Sequence, residues 1–129
     1  YREFDTAAGP FMLPTTTPVH FEPEVLHRTI DRLLSYRPRR IVQTHFGPVT
    51  DLERLARDLH ADLDAVVVMA RRHAAAADRA QRIRHDMFEH FNARLDAHGY
   101  AGSLARRHEF LDEDVNLNTQ GLEVWLSRQ

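Results

Sequence analysis

The sequence predicts a mostly α-helical chain with one short β element. Three stretches, 23–36, 51–75 and the residues around Ile83–Leu95, carry apolar residues at intervals of three or four, which is the spacing of one helix face. Between the first two lies Ile41–Thr44, which starts with two β-branched residues and is bounded by proline and glycine. These observations predict long helices around a single short strand.

The first helix is expected from Pro23 to Tyr36. Proline suits the first helical turn because its missing N–H is not needed there. Pro38 ends the helix because it disfavours helical geometry at Arg37, whereas Glu22 is a weak N-cap. A helix followed closely by a strand is an α/β unit, and its apolar face should cover a sheet.

The second helix is expected to begin with a capping box, Thr50–Glu53, and to run to about Ala75. An alanine-rich stretch then offers few anchoring side chains, so we expect a break near Ala77 and Asp78. The next helix should end at Gly99 and pack antiparallel to the second.

Further helix is expected after Gly102, to about Ala105, with Ser103 as its cap. The tail 111–129 begins with acidic residues that favour a helix start. Trp125 is expected to anchor the core, and Gly121 suggests close packing there. Residues 1–21 are rich in proline, glycine and threonine, and this composition predicts an extended loop.

Composition limits the function classes. The chain has 129 residues, of which 43% are hydrophobic, so one core of ordinary size is expected. It contains no cysteine, which excludes disulfides and thiolate metal sites and is compatible with a cytoplasmic location. The formal net charge of -2 gives no excess of positive charge, so no nucleic-acid partner is expected. No apolar run is long enough for a membrane span, and no membrane association is expected.

His45 follows the predicted strand, on a turn that Gly47 allows to approach a ligand closely. Ligands of open α/β sheets bind at this end of a strand, and neutral imidazole is a good zinc ligand. A hydrogen-bonded turn residue is the alternative interpretation of His45.

The run 14–59, with Thr44, His45, Phe46 and Gly47 as its most specific residues, resembles the closing section of a metallo-β-lactamase-fold hydrolase. The resemblance implies the carboxyl-terminal part of an αββα fold, followed by an accessory helical region. Residues 1–49 would be the end of the hydrolase core, comprising loop, helix, last strand and histidine turn, and residues 50–129 the helical region.

The resemblance also implies a chemistry. His45 would be the last ligand of a metal site that holds two zinc ions in the parent enzyme, or other divalent metals, with the remaining ligands encoded elsewhere. Two such metals lower the pKa of a shared water, so that hydroxide attacks a small-molecule substrate. His45 would be a metal ligand and not a general base. No catalytic residue is assigned to this chain, its substrate-binding residues are unknown, and the fragment alone should be inactive.

Other histidines give weaker patterns. The group Arg84, His85, Asp86, Glu89 and His90 has residues four apart on one helix, which could bind a metal but is typical of a solvated polar face. His108–Glu109 lacks the second histidine of a zincin motif, because residue 112 is aspartate.

Two roles are open for the helices after Thr50. In the hydrolase they would form a lid over the active site or a dimer contact, and a homo-oligomer is expected. The alternative is a non-catalytic α-helical interaction or dimerisation module, in which His45 is a turn residue. An isolated strand at Ile41–Thr44 would leave backbone groups unpaired. We therefore expect that it pairs with another copy or with some of Phe11–Leu13, or else that the chain derives from a longer one.

Overall fold

A computed structural model describes residues 2–6, 9–16, 18, 20–44 and 47–129 of the chain. In chain order these residues form β1 (Arg2–Thr6), β2 (Gly9–Leu13), α1 (Pro23–Ser35), β3 (Ile41–Gln43), β4 (Gly47–Val49), α2 (Leu52–His73), α3 (Arg79–Ala97) and α4 (Leu104–Leu126). The predicted fold class, mostly helical with a short β element, is confirmed at this level.

Helices α2, α3 and α4 pack around the main core. Near the end of α2, His73 bonds to Asp86 early in α3, whereas Asp62 in the middle of α2 bonds to His90 further along α3, so the two helices run antiparallel as expected. The most deeply buried side chains of this core are those of Phe11, Leu63, Val66, Ile83, Met87, Phe91, Leu111, Val115 and Leu122. Trp125 is 7% exposed and its ring meets Phe21 edge-on, which confirms it as a core anchor.

The breaks between these helices follow the local sequence. The break before α3 contains Ala77 and Asp78, as predicted. Gly99, just after α3, has a φ of 80°, a conformation that favours glycine and ends the helix. Ser103 caps α4, because its hydroxyl oxygen accepts a hydrogen bond from the Arg106 N–H at 3.3 Å. Helix α4 is one continuous element of 23 residues, and not a short helix followed by a separate tail.

Helix α1 is attached more loosely than the others. It begins with Pro23 and ends at Ser35, and Arg37 before Pro38 leaves helical geometry with a φ of 49°, as expected. None of its residues is fully buried, although Leu26 and Ile30 pack against the main core. This helix therefore has only one side in contact with the rest of the chain.

A second, smaller apolar cluster joins the strands to the start of α2. Its buried residues are Met12, Val49, Leu55 and Leu59, and Ile30, Ile41 and Leu52 pack against it. The expected covering of β structure by α1 is present here through Ile30.

The prediction of an extended loop over residues 1–21 is wrong for its first part. Strands β1 and β2 pair antiparallel, with Arg2 opposite Leu13 and Thr6 opposite Gly9. Phe11, Met12 and Leu13 are no more than 3% exposed, so burial of this short apolar run stabilises the hairpin.

The expected pairing of the Ile41 strand with Phe11–Leu13 is also wrong. Strand β3 pairs antiparallel with β4, with Ile41 opposite Val49 and Gln43 opposite Gly47. The sequence does not predict β4, because glycine and proline, here Gly47 and Pro48, are typical of turns and loops. Proline is tolerated in edge strands, and both strands of a two-stranded sheet are edges.

The predicted capping box at Thr50 is not formed. The N-cap of α2 is Asp51, and its side chain makes no capping hydrogen bond. The Asp51 carboxylate instead accepts a hydrogen bond from Nε of Arg54. Arg54 thus competes with the backbone N–H groups of the helix start for the Asp51 side chain. The helix begins one residue later than the capping box requires.

Candidate functional site

The predicted metal ligand, His45, lies outside the described residues, as does Phe46. The structure does describe their surroundings in the chain. Gln43 and Gly47 are opposite each other in the β3–β4 register, and Gly47 has a φ of 83°, with no atom of the described residues within 4 Å of an added Cβ. Glycine at this position is therefore required by backbone conformation and not by crowding.

The β3–β4 hairpin is anchored on one face. Val49 is 3% exposed and Ile41 packs beside it against the first turns of α2. On the opposite face of β3, Val42 is 68% exposed. A β-branched residue so exposed in a strand marks a face of the hairpin that the described residues leave uncovered.

Gln43 is the buried polar residue of this hairpin. Its side chain is buried, and among the described residues neither its amide nitrogen nor its amide oxygen forms a hydrogen bond. Each unsatisfied buried polar group costs about 1–3 kcal/mol, so a buried amide without partners needs an explanation.

Arg54 ties the start of α2 to β2 and to the next helical turn. Its guanidinium donates to the Pro10 carbonyl at 2.9 Å and to the Asp58 carboxylate at 3.2 Å. Asp58 also forms an ion pair with Arg94 of α3 at 3.4 Å. The arginines on these two helices therefore share one carboxylate.

Asp62 is the most buried charged group of this network. It is fully shielded from solvent, its Oδ1 lies 2.8 Å from Nε2 of His90, and its Oδ2 pairs with Arg94. Burial raises the pKa of Asp62, although the His90 hydrogen bond and the Arg94 charge act in the opposite direction. Both carboxylate oxygens are satisfied, so this arrangement is a clamp between α2 and α3.

The polar residues of α3 between positions 84 and 90 contact different neighbours. Asp86 lies 2.8 Å from Nε2 of His73, His90 bonds to Asp62, and Arg84 donates to Asn116. His85 is exposed beside an open surface groove. Arg84, His85 and Glu89 line this groove, but Asp86 and His90 bond to other neighbours. Among the described residues the five do not form a metal site, which agrees with the interpretation of a polar helix face.

His108 is likewise engaged locally. Its Nδ1 lies 2.9 Å from Asp112, and its ring lies 4.2 Å from that of Phe88 with nearly parallel planes. The failed zincin pattern therefore corresponds to a histidine–aspartate pair within one helix.

Sequence reasoning missed a pair of histidines between α1 and α2. Nδ1 of His27 lies 2.6 Å from Nδ1 of His60. The opposite nitrogen of His27 faces Asp64 at 3.2 Å, and that of His60 faces Asp31 at 3.1 Å. A signal was present, because both helices carry the pattern H-x-x-x-D, at 27–31 and 60–64, which places both side chains on one face.

Within the part of the chain that the structure describes, no three or more histidine, aspartate or glutamate side chains are arranged as a metal site. No helix among the described residues is long and apolar enough to cross a bilayer. Comparison of the chain with protein-family models, with curated proteins and with solved structures finds no match.

Proposed function

We propose that this chain is the carboxyl-terminal part of a metal-dependent hydrolase with the αββα metallo-β-lactamase fold. The observation that carries the proposal is the T-H-F-G sequence. It follows β3 directly and ends at Gly47, the first residue of β4, and both strands pack on the start of α2. In this function His45 contributes one ligand to a site for two zinc ions or other divalent metals. The described residues offer no complete ligand set, so the other ligands come from the rest of the enzyme.

Both faces of the hairpin support this proposal. Val42 is 68% exposed on one face of β3, and Gln43, on the other face, is buried without a hydrogen-bond partner among the described residues. On α1, Leu33 is 46% and Tyr36 68% exposed. The remainder of the hydrolase core would cover these apolar groups and supply the partner of the amide.

Metal analysis of the full-length enzyme tests the assignment. At the hydrolase site we expect about two zinc ions per chain, and the loss of one of them after His45→Ala. His85→Ala is the matched control, because His85 is an exposed histidine in the other histidine-rich pattern of the sequence. Unchanged metal content after His45→Ala, or a loss after His85→Ala, would contradict the role of the turn.

The exposed apolar residues of α1 also support a second candidate, the non-catalytic helical interaction module. The same measurement separates the two functions, because an interaction module holds no zinc that depends on His45. In the hydrolase, helices α2 to α4 would act as a lid or a homo-oligomer contact. Hydrogen exchange of the full-length enzyme with and without substrate tests the lid, and unchanged protection across 63–95 would argue against it.

A further inference from the structure

The His27 and His60 rings lie edge to edge and not face to face. Their planes differ by 3°, and their centroids are 4.9 Å apart while the two Nδ1 atoms are 2.6 Å apart. The centroid distance exceeds the nitrogen distance by about the width of one imidazole ring, which requires the rings to share nearly one plane. The two Nδ1 lone-pair directions therefore converge on one point between the helices.

The outer nitrogens of both rings are held by carboxylates. Carboxylate oxygens only accept hydrogen bonds, so Nε2 of His27 donates to Asp64 and Nε2 of His60 donates to Asp31. The contacts cross, because each histidine donates to the aspartate of the other helix. Each ring is thus fixed in orientation from its outer side, and the inner Nδ1 atoms can hold only a single hydrogen between them.

Metal-binding histidines have this same environment. A histidine that binds a metal through one ring nitrogen almost always donates the other N–H to a carboxylate, a carbonyl or water, which fixes its orientation and raises its basicity as a ligand. We propose that His27 and His60 bind a first-row transition-metal ion through their Nδ1 atoms, with Asp64 and Asp31 as positioning residues. This site is independent of His45 and of the proposed hydrolase function.

The dimensions of the pair allow such an ion to enter. Zinc–nitrogen bonds of about 2.0–2.1 Å in tetrahedral geometry place two ligand nitrogens about 3.3 Å apart. The two Nδ1 atoms are 2.6 Å apart. To hold the ion between them, they must therefore move apart by less than one bond length. The side chains of His27 and His60 are 22% and 27% exposed, so water reaches the site and completes the coordination.

The chemistry of the donors decides the class of ion. Imidazole nitrogen suits zinc, nickel and copper, whereas magnesium requires oxygen ligands. Within the described residues no third imidazole or carboxylate joins the group, so water fills the other positions. Because α1 has no fully buried residue, an ion that links it to α2 would strengthen the helix that is attached most loosely.

Calorimetric titration of the untagged chain with Zn²⁺ tests the proposal, in a His45→Ala background that removes the other predicted ligand. We expect one ion per chain and no heat with Mg²⁺. His27→Ala and His60→Ala should each abolish binding, and Asp31→Asn or Asp64→Asn should weaken it by about 10- to 100-fold. His73→Ala is the matched control, because it also removes an interhelical histidine–aspartate pair, at 2.8 Å, and should bind zinc like the wild type.

Electron paramagnetic resonance with Cu²⁺ provides a second readout that does not depend on stability. Copper binds nitrogen ligands more tightly than zinc does, so one histidine suffices to hold it. Hyperfine splitting from two imidazole nitrogens is therefore expected in the wild type, and from one in His60→Ala. The proposal is overturned if the wild type binds no zinc, or if the double variant of His27→Ala and His60→Ala binds it with wild-type affinity and stoichiometry. An alanine variant that fails to fold is replaced by His60→Gln, for which the same loss of one nitrogen is expected.

Discussion

Asn118 joins two parts of the chain that are about a hundred residues apart. Its side-chain oxygen accepts the Thr16 N–H at 2.8 Å, and its side-chain nitrogen donates to the Pro14 carbonyl at 2.9 Å. Thr16 and Asn118 are 1% and 2% exposed. The side-chain amide thus satisfies two backbone groups of the loop after β2, and the Thr16 hydroxyl adds a hydrogen bond to the Asn118 backbone carbonyl at 2.9 Å.

Replacing Asn118 with alanine leaves both backbone groups without partners. Each such group costs about 1–3 kcal/mol, and with partial hydration of the loop we expect a loss of about 2–5 kcal/mol in the free energy of unfolding. Asn118→Asp keeps the acceptor for Thr16 but places a buried carboxylate oxygen against the Pro14 carbonyl oxygen, so at neutral pH it should destabilise the chain at least as much as alanine. These losses are a large share of the stability of an ordinary domain.

Urea unfolding followed by far-ultraviolet circular dichroism measures this effect. For Asn118→Ala we expect the midpoint to fall by about 1–2 M urea with an unchanged slope. Asn116→Ala is the control on the same helix, because its side chain is exposed and accepts only from Arg84 at 3.2 Å, and its effect should stay within about 0.5 kcal/mol. Equal midpoints for the Asn118 and Asn116 variants would refute the reasoning.

Two further predictions concern buried polar groups. Burial raises the pKa of Asp62 above the ordinary value of 3.8, so the folded chain binds this proton more tightly than the unfolded chain does. The free energy of unfolding of the wild type, relative to that of Asp62→Asn, should therefore fall as the pH rises from about 4 to 7. Urea titrations across this range check the sign, and a relative stability that rises with pH would show that the Arg94 ion pair dominates. Gln43→Met should raise the free energy of unfolding by about 1–3 kcal/mol, because it removes a buried amide without partners among the described residues. The exposed Gln81→Met is its control in thermal or urea unfolding, and a destabilised Gln43→Met would mean that the amide has a partner.

Several helix boundaries were predictable because their causes are local. Pro23 and Pro38 restrict φ and remove an N–H whatever surrounds them, and α1 begins and ends accordingly. Gly99 and Ser103 act within one turn of the helices they delimit, so the end of α3 and the start of α4 also follow from the sequence. The capping box at Thr50 failed because Asp51 could form a different local contact, with Arg54.

The β elements were less predictable because pairing is not local. Phe11–Leu13 and Ile41–Gln43 are short apolar runs, and such runs do not specify which strand they will pair with. Each pairs with the strand that is nearest to it along the chain, since closing a short loop costs less conformational entropy than closing a long one. The T-H-F-G sequence indicates a metal ligand from its residues, and its role stays a prediction.

By itself, the amino-acid sequence determined where helices form and stop, because helical periodicity, proline, glycine and capping residues act over a few positions. Only the tertiary structure decided which polar side chains meet. His27 and His60 are 33 residues apart, and this separation by itself does not predict a contact. The antiparallel packing of α1 and α2 aligns position 27 with 64 and position 31 with 60, and this alignment brings the two Nδ1 atoms together. Contacts between helices depend on rotation and register, which are set by the burial of the whole core and not by any short segment of the chain.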